Sequence, residues 1–209
     1  MKAAATLAAA TDAGTERLDE YSIDRLFREA RTYTAWQPRP VPQALLRELY
    51  ELMALGPTSA NCLPARIVFV CSAQAKQSLL PLMAEGNREQ TRLAPVTAII
   101  AYDLEFHEHL PRLYPQQPEA RTWFNATEEQ AREAAMRNGS LQGGYFIAAA
   151  RALGLDCGPM GGFDAQAVRA AFLPPGFEVN FLCNLGYGQR PPRHPRLPRL
   201  SFETACRIA

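Results

Sequence analysis

The stretch from Thr127 to Leu153, "TEEQAREAAMRNGSLQGGYFIAAARAL", constrains this chain more than any other. Thr127 and Gln130 have the spacing of a helix capping box, and Gly154 supplies the expected stop. Between them the pattern is one long helix whose second half is apolar nearly all round. Such a helix must run through a core rather than along a surface. What packs on it has to come from three short apolar runs, "RIVFVC" (66–71), "VTAIIAY" (96–102) and "EVNFLCNLGYG" (178–188), each a strand by its β-branched and aromatic content. Helices and strands mix without a βαβα rhythm, so the class is α+β.

The remaining pieces fit around that frame. "SIDRLFREAR" (22–31) is amphipathic and reads as a helix capped by Ser22. Prolines 38, 40 and 42 keep the chain extended, and Pro42 opens a second helix as a first-turn residue. In that helix Leu45, Leu46, Leu49, Tyr50, Leu52 and Met53 recur at three- and four-residue steps, which predicts a buried face ended by Gly56 and Pro57. A further helix is expected around 74–83, followed by a polar stretch, "AEGNREQTRLAP". Residues 103–126 read as an irregular flap, and a short helix starts at Asp164. The tail 189–209, rich in Pro and Arg, reads as lacking regular structure.

The chain's 209 residues are enough for one full core, and 47% of them are apolar. A net charge of +1 excludes a global field that would draw the chain to nucleic acid or anionic lipid. No apolar run is long enough to span a bilayer. The opening "MKAAATLAAATDAG" is too polar for a secretory leader and reads as part of a frayed tail over 1–20, with a single domain over 21–209. Five cysteines without a CxxC pair fit reduced thiols in a cytoplasmic protein.

Candidate chemistry is sparse. Cys62, in "LGPTSANCLPARIVF", has no histidine in a catalytic setting near it in sequence, and a small buried thiol is the commoner fate of cysteine. His107 and His109 flank Glu108, but residues two apart on a helix face different sides, so no metal site is expected. Neither a GxGxxG nor a GxxxxGK[ST] loop is present. "GPMGGFD" (158–164) is more informative: its glycines let backbone approach a flat ligand and leave N–H groups free, although a tight strand-to-helix turn explains them equally well. Arg190, Arg193, Arg196 and Arg199 suit a phosphate or plain solvation.

In this order "ARTYTAW", "GPTSANCLPA", "GNREQ", the long core helix, "GPMGGFD" and "RLPRLSFETA" resemble the FMN-dependent nitroreductase superfamily over about residues 22–209. Within it, "LGPTSANCLPARIVF", "APVTAI", "RALGLDCGPMGGFD" and "RLPRLSFETA" are most similar to the malonic semialdehyde reductase subgroup of bacterial uracil degradation. The resemblance implies a three-layer sandwich with a mostly antiparallel central sheet and an intertwined homodimer; independently, the Pro- and Arg-rich C-terminal arm (189–209) is poorly suited to packing only on its own domain and could extend across a partner. It implies FMN as cofactor and NADPH or NADH as hydride donor, with 3-oxopropanoate reduced to 3-hydroxypropanoate by ping-pong transfer through flavin N5. A general nitroarene or quinone reductase and a non-catalytic flavin-binding module are the alternatives.

Carried across by motif, Arg31 and Thr32 would hold the FMN phosphate and ribityl chain. Pro57, Thr58, Ser59 and Asn61 would line the flavin from the partner subunit, and Asn87 belongs to a third binding segment. Pro159, Met160, Gly161 and Gly162 would lie against the ring, a backbone N–H reaching N5, while Arg196 and Arg199 close on the phosphate. Thr34, Gln90 and Gly161 depart from the basic and acidic residues frequent in the family, which shifts weight onto the C-terminal arginines. For the substrate carboxylate the candidates are Arg66 and Arg121, with Trp123 and Phe124 as an aromatic lid.

Overall fold

A computed structural model describes residues 16–192 and 195–209. Residues 1–15 of the expected tail, and Arg193, lie outside the described residues. In chain order the elements are α1 (Glu20–Ile23), α2 (Gln43–Ala54), β1 (Ala65–Val70), α3 (Ala73–Leu79), α4 (Glu85–Leu93), β2 (Val96–Asp103), α5 (Leu110–Leu113), α6 (Glu128–Ala152), β3 (Asp156–Met160), α7 (Ala165–Phe172), β4 (Phe177–Gly186) and α8 (Phe202–Ala205). The strands form one sheet in the order β1-β2-β4-β3, every pair antiparallel.

Alternation along the strands divides the core into two layers. Ala98, Ile100, Cys183 and Leu185 pack with Leu46, Leu49 and Met53 of α2 and Phe146, Ala149 and Ala150 of α6. Ile99 and Leu182 point the other way, onto Leu79, Met83, Met160 and Val168. The central strand β2 is therefore buried along its whole length. These are the three layers expected, helices on both faces of an antiparallel sheet. No helix among the described residues is long and apolar enough to cross a membrane.

Helix α6 fulfils its sequence pattern. Thr127 Oγ1 accepts from Gln130 N (3.1 Å), although Gln130 Oε1 accepts in return from Ala126 N rather than from Thr127 N. Gly154 ends the helix at φ +86°. Several other expectations need correction. The first helix is capped by Asp19, whose Oδ1 accepts from Ser22 N (2.6 Å), and it passes into a π turn over Asp24–Arg28. Pro42 is the cap of α2 rather than its first residue. Only Leu46, Leu49 and Met53 of α2 are buried, whereas Tyr50 and Leu52 face out. The polar stretch after Met83 is helix α4, hard to see because Thr91 is its one buried residue. Residues 156–160 form a fourth strand; Gly158 and Pro159 disguise it, and Pro159 is tolerated because β3 is a sheet edge. The segment 103–126 is built of short helical turns and buries Phe106, Leu110 and Ala120 against Cys62, Tyr102 and α6. In the C-terminal tail, Ser201 caps the short α8.

Behind the sheet lies a polar group that the apolar surroundings do not require. Lys76 of α3 is 8% exposed, and its Nζ donates to Thr91 O (2.8 Å) and Thr97 Oγ1 (2.6 Å). Thr97 Oγ1 donates to Asn184 Oδ1 (2.6 Å), and Asn184 Nδ2 reaches Thr91 Oγ1 (3.4 Å). Thr91, Thr97 and Asn184 are fully buried. Desolvation pulls the Lys76 ammonium down to about 8, against which the nearby Cys71 is a small opposing influence. The unfolded chain thus keeps this proton over a range where the folded chain has lost it. The cost of burying the charge is complete below about pH 8 and is relieved as pH rises towards the ordinary lysine value. Relative to Lys76→Met, the unfolding free energy of the native sequence should rise across that window by up to about 3 kcal/mol; denaturant titrations at pH 7 and pH 10 measure it.

Candidate functional site

The segment after α1 is laid along the outer edge of β3. Tyr33 N donates to Cys157 O (3.0 Å), Thr32 forms a parallel bridge with Cys157, and Trp36 bridges to Gly188. Gly158 is required at this crossing, since a Cβ there would lie 2.5 Å from the Tyr33 carbonyl oxygen. Trp36 Nε1 donates to Gln90 O (3.2 Å), tying the same segment to α4. This fixes Arg31 and Thr32 at the sheet's β3 side.

Three guanidinium groups converge on the carbonyls just before Arg31. Arg31 Nη1 donates to Arg28 O and Ala30 O, both at 2.9 Å. Arg196, from the C-terminal arm, donates to Phe27 O, Arg28 O and Ala30 O at 2.6, 2.6 and 2.9 Å. Arg151 of α6 donates to Leu26 O (2.7 Å), while its buried Nε finds no partner among the described residues. Among those residues no carboxylate pairs with any of the three; their counter-charges are carbonyl dipoles alone. Partial desolvation, and the charges of Arg31, Arg199 and Arg151, lower the Arg196 guanidinium below its usual range. A cleft of about 570 Å³ opens here, lined by Arg25, Arg31, Tyr33, Arg151 and Arg190. Arg190 is paired with Asp156 (3.1 Å), and Arg199 is folded onto its own segment, donating to Leu197 O and Pro198 O.

The glycine turn follows the other end of β3, past Met160, whereas Thr32 and the cationic corner lie at its Asp156–Cys157 end. Gly162 O accepts from Ala84 N and from Asn87 Nδ2, both at 3.0 Å, and Asp164 N donates to Leu82 O (2.8 Å). Asn87 is held in turn by Gln90 Nε2 (2.6 Å). A Cβ at Gly162 would come within 2.6 Å of Asn87 Nδ2, whereas one at Gly161 would meet nothing within 4 Å. Among the described residues the N–H groups of Gly161 and Gly162 donate to no acceptor. The Met160 side chain turns into the core, so what the turn presents to a ligand is backbone.

The loop Pro57–Leu63 is built elsewhere. Ala60, Asn61 and Leu63 adopt positive φ (48°, 53° and 40°), a strained region for residues with a side chain. One stripe of α6 holds it there: Asn138 Oδ1 accepts from Ser59 N (2.9 Å), Gln142 Oε1 from Ala65 N (2.8 Å), and Tyr145 OH donates to Pro57 O (3.0 Å). Thr58 Oγ1 accepts from Leu63 N (3.2 Å), and Asn61 Nδ2 donates to Leu113 O (2.8 Å). Pro57, Ser59 and Asn61 remain exposed. Cys62 is wholly buried, and burial pushes its thiol up to about 11, which is no setting for a nucleophile. Sequence reading missed Asn138, Gln142 and Tyr145; the signal was polar residues at four- and three-residue spacing in an otherwise apolar half-helix.

These two groups do not meet within one chain. β1 and β3 are opposite edges of the sheet, and the loop enters β1 at the Tyr102/Glu178 end, while Thr32 bridges β3 at the Leu185 end. Strand spacing and rise put roughly 25 Å between them.

The remaining candidates are engaged in other contacts. Arg66 Nη2 pairs with the buried Asp103 (2.7 Å), and its Nη1 donates to Leu63 O and Ala65 O, beside a groove of about 1070 Å³ along the edge of β1. Arg121 pairs with Glu108 (2.6 Å) at the surface. Phe124 packs edge-on against Phe106, whereas Trp123 is exposed beside Tyr114. Among the described residues no cluster of His, Cys, Asp and Glu is arranged to hold a metal.

Residues 27–187 match the model of the nitroreductase family. A Ralstonia nicotianae protein whose name assigns it to the NADH dehydrogenase/NAD(P)H nitroreductases is 56% identical over 192 residues, covering 91% of this chain and 98% of its own. A Stenotrophomonas maltophilia protein of the same designation is 56% identical over 193 residues, covering 92% and 98%. Among solved structures, the Bacillus subtilis nitroreductase ydfN superposes with a TM-score of 0.83 at 23% identity, over 90% of this chain and 99% of that one. A nitroreductase from Exiguobacterium sibiricum, solved in complex with FMN, gives 0.79 at 19% identity over 88% and 96%. From the match over 27–187 and from relatives more than half identical along nearly their whole length, the chain belongs to the nitroreductase family.

Proposed function

We propose that this chain is an FMN-dependent NAD(P)H oxidoreductase that works as a homodimer and reduces malonic semialdehyde to 3-hydroxypropanoate. The observation that carries the cofactor is the meeting of Arg31, Arg151 and Arg196, none of them paired with a carboxylate among the described residues although Asp24, Glu29 and Asp156 also line the cleft, at one end of β3, with a turn of unspent N–H groups at the other. A ligand with a phosphate at one end and a flat, acceptor-rich ring at the other satisfies both. The orphaned Arg151 Nε and the open space over Gly161 are what such a ligand would use. When bound, FMN supplies the redox chemistry, taking a hydride from NAD(P)H and passing it to the acceptor carbon.

The chain's own residues bind and orient. Arg31 and Arg196 hold the phosphate, with Arg199 adding charge from the arm. Thr32 faces the ribityl chain, and Gly161 and Gly162 offer N–H groups to the ring edge from a backbone braced by Asn87, with Pro159 and Met160 leading into it. Pro57, Thr58, Ser59 and Asn61 lie too far away to serve the same ligand, so they serve the one bound by a second copy. Phe27, Leu55, Leu141, Leu197, Leu200 and Phe202 are exposed apolar residues that a second copy would cover. Two reactants taking turns over one ring, held by positioning rather than acid–base groups, give ping-pong kinetics. Free thiols at all five cysteines suit a cytoplasmic setting.

The semialdehyde assignment is supported by the subgroup motifs in "LGPTSANCLPARIVF" and "RALGLDCGPMGGFD". One observation favours a general nitroarene or quinone reductase instead: Arg66 and Arg121 already pair with Asp103 and Glu108, leaving neither cation free for a substrate carboxylate. Anaerobic reduction by NADPH followed by reoxidation separates the readings. Faster reoxidation by 3-oxopropanoate than by a nitroarene or quinone is the expected result, and the reverse order overturns the semialdehyde assignment. Protein that binds FMN but is not bleached by NADPH or NADH is a binding module and no enzyme.

Arg196→Ala should weaken FMN retention at least tenfold and Arg199→Ala less, read by flavin absorbance after gel filtration; full FMN in both would remove the arm from the site. Gly158→Ala, which touches no ligand, should also lose FMN because it drives Tyr33 and Arg31 off the β3 edge. A fluorescence titration of the refolded apoprotein reads that loss.

A further inference from the structure

Lys76 has no place in the chemistry so far, yet its surroundings are unusual. A buried ammonium is normally matched by a carboxylate, because desolvating an unpaired charge is expensive. Here both partners are neutral oxygens, Thr91 O and Thr97 Oγ1. The hydrogen bonds that leave it run in one direction. Lys76 donates to Thr97, Thr97 to Asn184, Asn184 to Thr91, and Thr91 Oγ1 to Met160 Sδ at 3.6 Å. The series returns to Thr91, whose carbonyl is itself a partner of the cation, and ends on Met160, the residue that opens the glycine turn. Each bond in such a series polarises the next, and the buried setting leaves the charge weakly screened.

We propose that Lys76 is a positioning residue for the redox centre: its unneutralised buried charge, linked to Met160 through Thr97, Asn184 and Thr91, favours the electron-rich reduced form of FMN held by the turn that follows and so raises the reduction potential. The inference rests on the reading that FMN lies against residues 159–162. With FMN against this turn, the field of the ammonium would add to that of the Gly161 and Gly162 N–H groups. A purely structural role, in which Lys76 only satisfies a carbonyl in the last turn of α4, would leave the potential alone. The titratable neighbours are few. Cys71 is the ionisable group that acts on Lys76, and burial raises its thiol. Cys183, whose Sγ donates to Asn184 O, is raised well above its ordinary value by Cys157 and by burial. Over the neutral range the ammonium is thus the one charge in this network that changes, and it does so at about 8.

The test is the midpoint potential of bound FMN, by dye equilibration from pH 6 to pH 10, in the native sequence, Lys76→Met and Lys76→Arg. At pH 6.5 Lys76→Met should keep its FMN while the preference for reduced over oxidised FMN falls at least tenfold, about 30 mV for a two-electron couple. Lys76→Arg should restore it, and the gap between native and Met proteins should close above about pH 8. A gap below tenfold, or one unchanged up to pH 10, overturns the proposal. Should Lys76→Met fail to fold, the native protein must show a break in potential near that pH which Lys76→Arg lacks; the same profile in both overturns it. Native protein without FMN would defeat the proposed function itself, whereas bound FMN with an unmoved potential defeats only the role of Lys76.

Discussion

Helix α6 lies so close to the sheet that its own side chains had to be removed to let it in. A Cβ at Gly143 would reach within 2.5 Å of Phe181, and one at Gly139 would sit 3.1 Å from Tyr102 Cβ. That approach puts Phe146, Ala149 and Ala150 into the main core and, on an adjoining stripe, brings Asn138, Gln142 and Tyr145 over the loop before β1. The end of the same helix delivers Arg151 to the carbonyls around Arg31. One rigid element thus sets both halves of the proposed site, and the distance between them follows from its length and the width of the sheet.

The helix was legible because its signals agree: a capping pair, an apolar half and a glycine stop all fall where a single helix needs them. The two inner strands were legible for the same reason, since burial on both faces makes β2 and the end of β4 read as plain apolar runs. β3 was not, because Gly158 and Pro159 answer to a crossing segment and an edge position rather than to strand preference. α4 was hidden by a near absence of apolar residues; its neighbours are the glycine turn and Trp36, contacts that leave no periodic trace. The residues proposed for the site that carry motifs, Arg31, Asn87, Gly162 and Arg196, read in the sequence only as a string of positions. That Arg31 and Arg196 share the same three-residue stretch of carbonyls, while Pro57–Asn61 stand at the far corner, is tertiary information that no local pattern encodes.

Positive charge is handled in two ways. At the surface, Arg28, Arg92, Arg121 and Arg137 pair with nearby acids, contacts of small energetic weight. At the β3 edge and within the core, Arg31, Arg151, Arg196 and Lys76 are given carbonyls and hydroxyls instead. Dipoles orient a cation without cancelling it. The result is a chain almost neutral overall whose unmatched charge is concentrated where an anion would lie.

The left-handed residues of the loop before β1 have a consequence for how this protein can evolve. Ala60, Asn61 and Leu63 each hold a conformation that glycine would adopt without steric strain, at an entropic cost set by the unfolded chain. A lineage selected for heat resistance gains by placing glycine there, yet the relaxed loop would no longer be forced into one shape when its α6 anchors loosen. Endurance and a rigid loop therefore pull the same three positions in opposite directions, and these residues trade thermal margin for geometry.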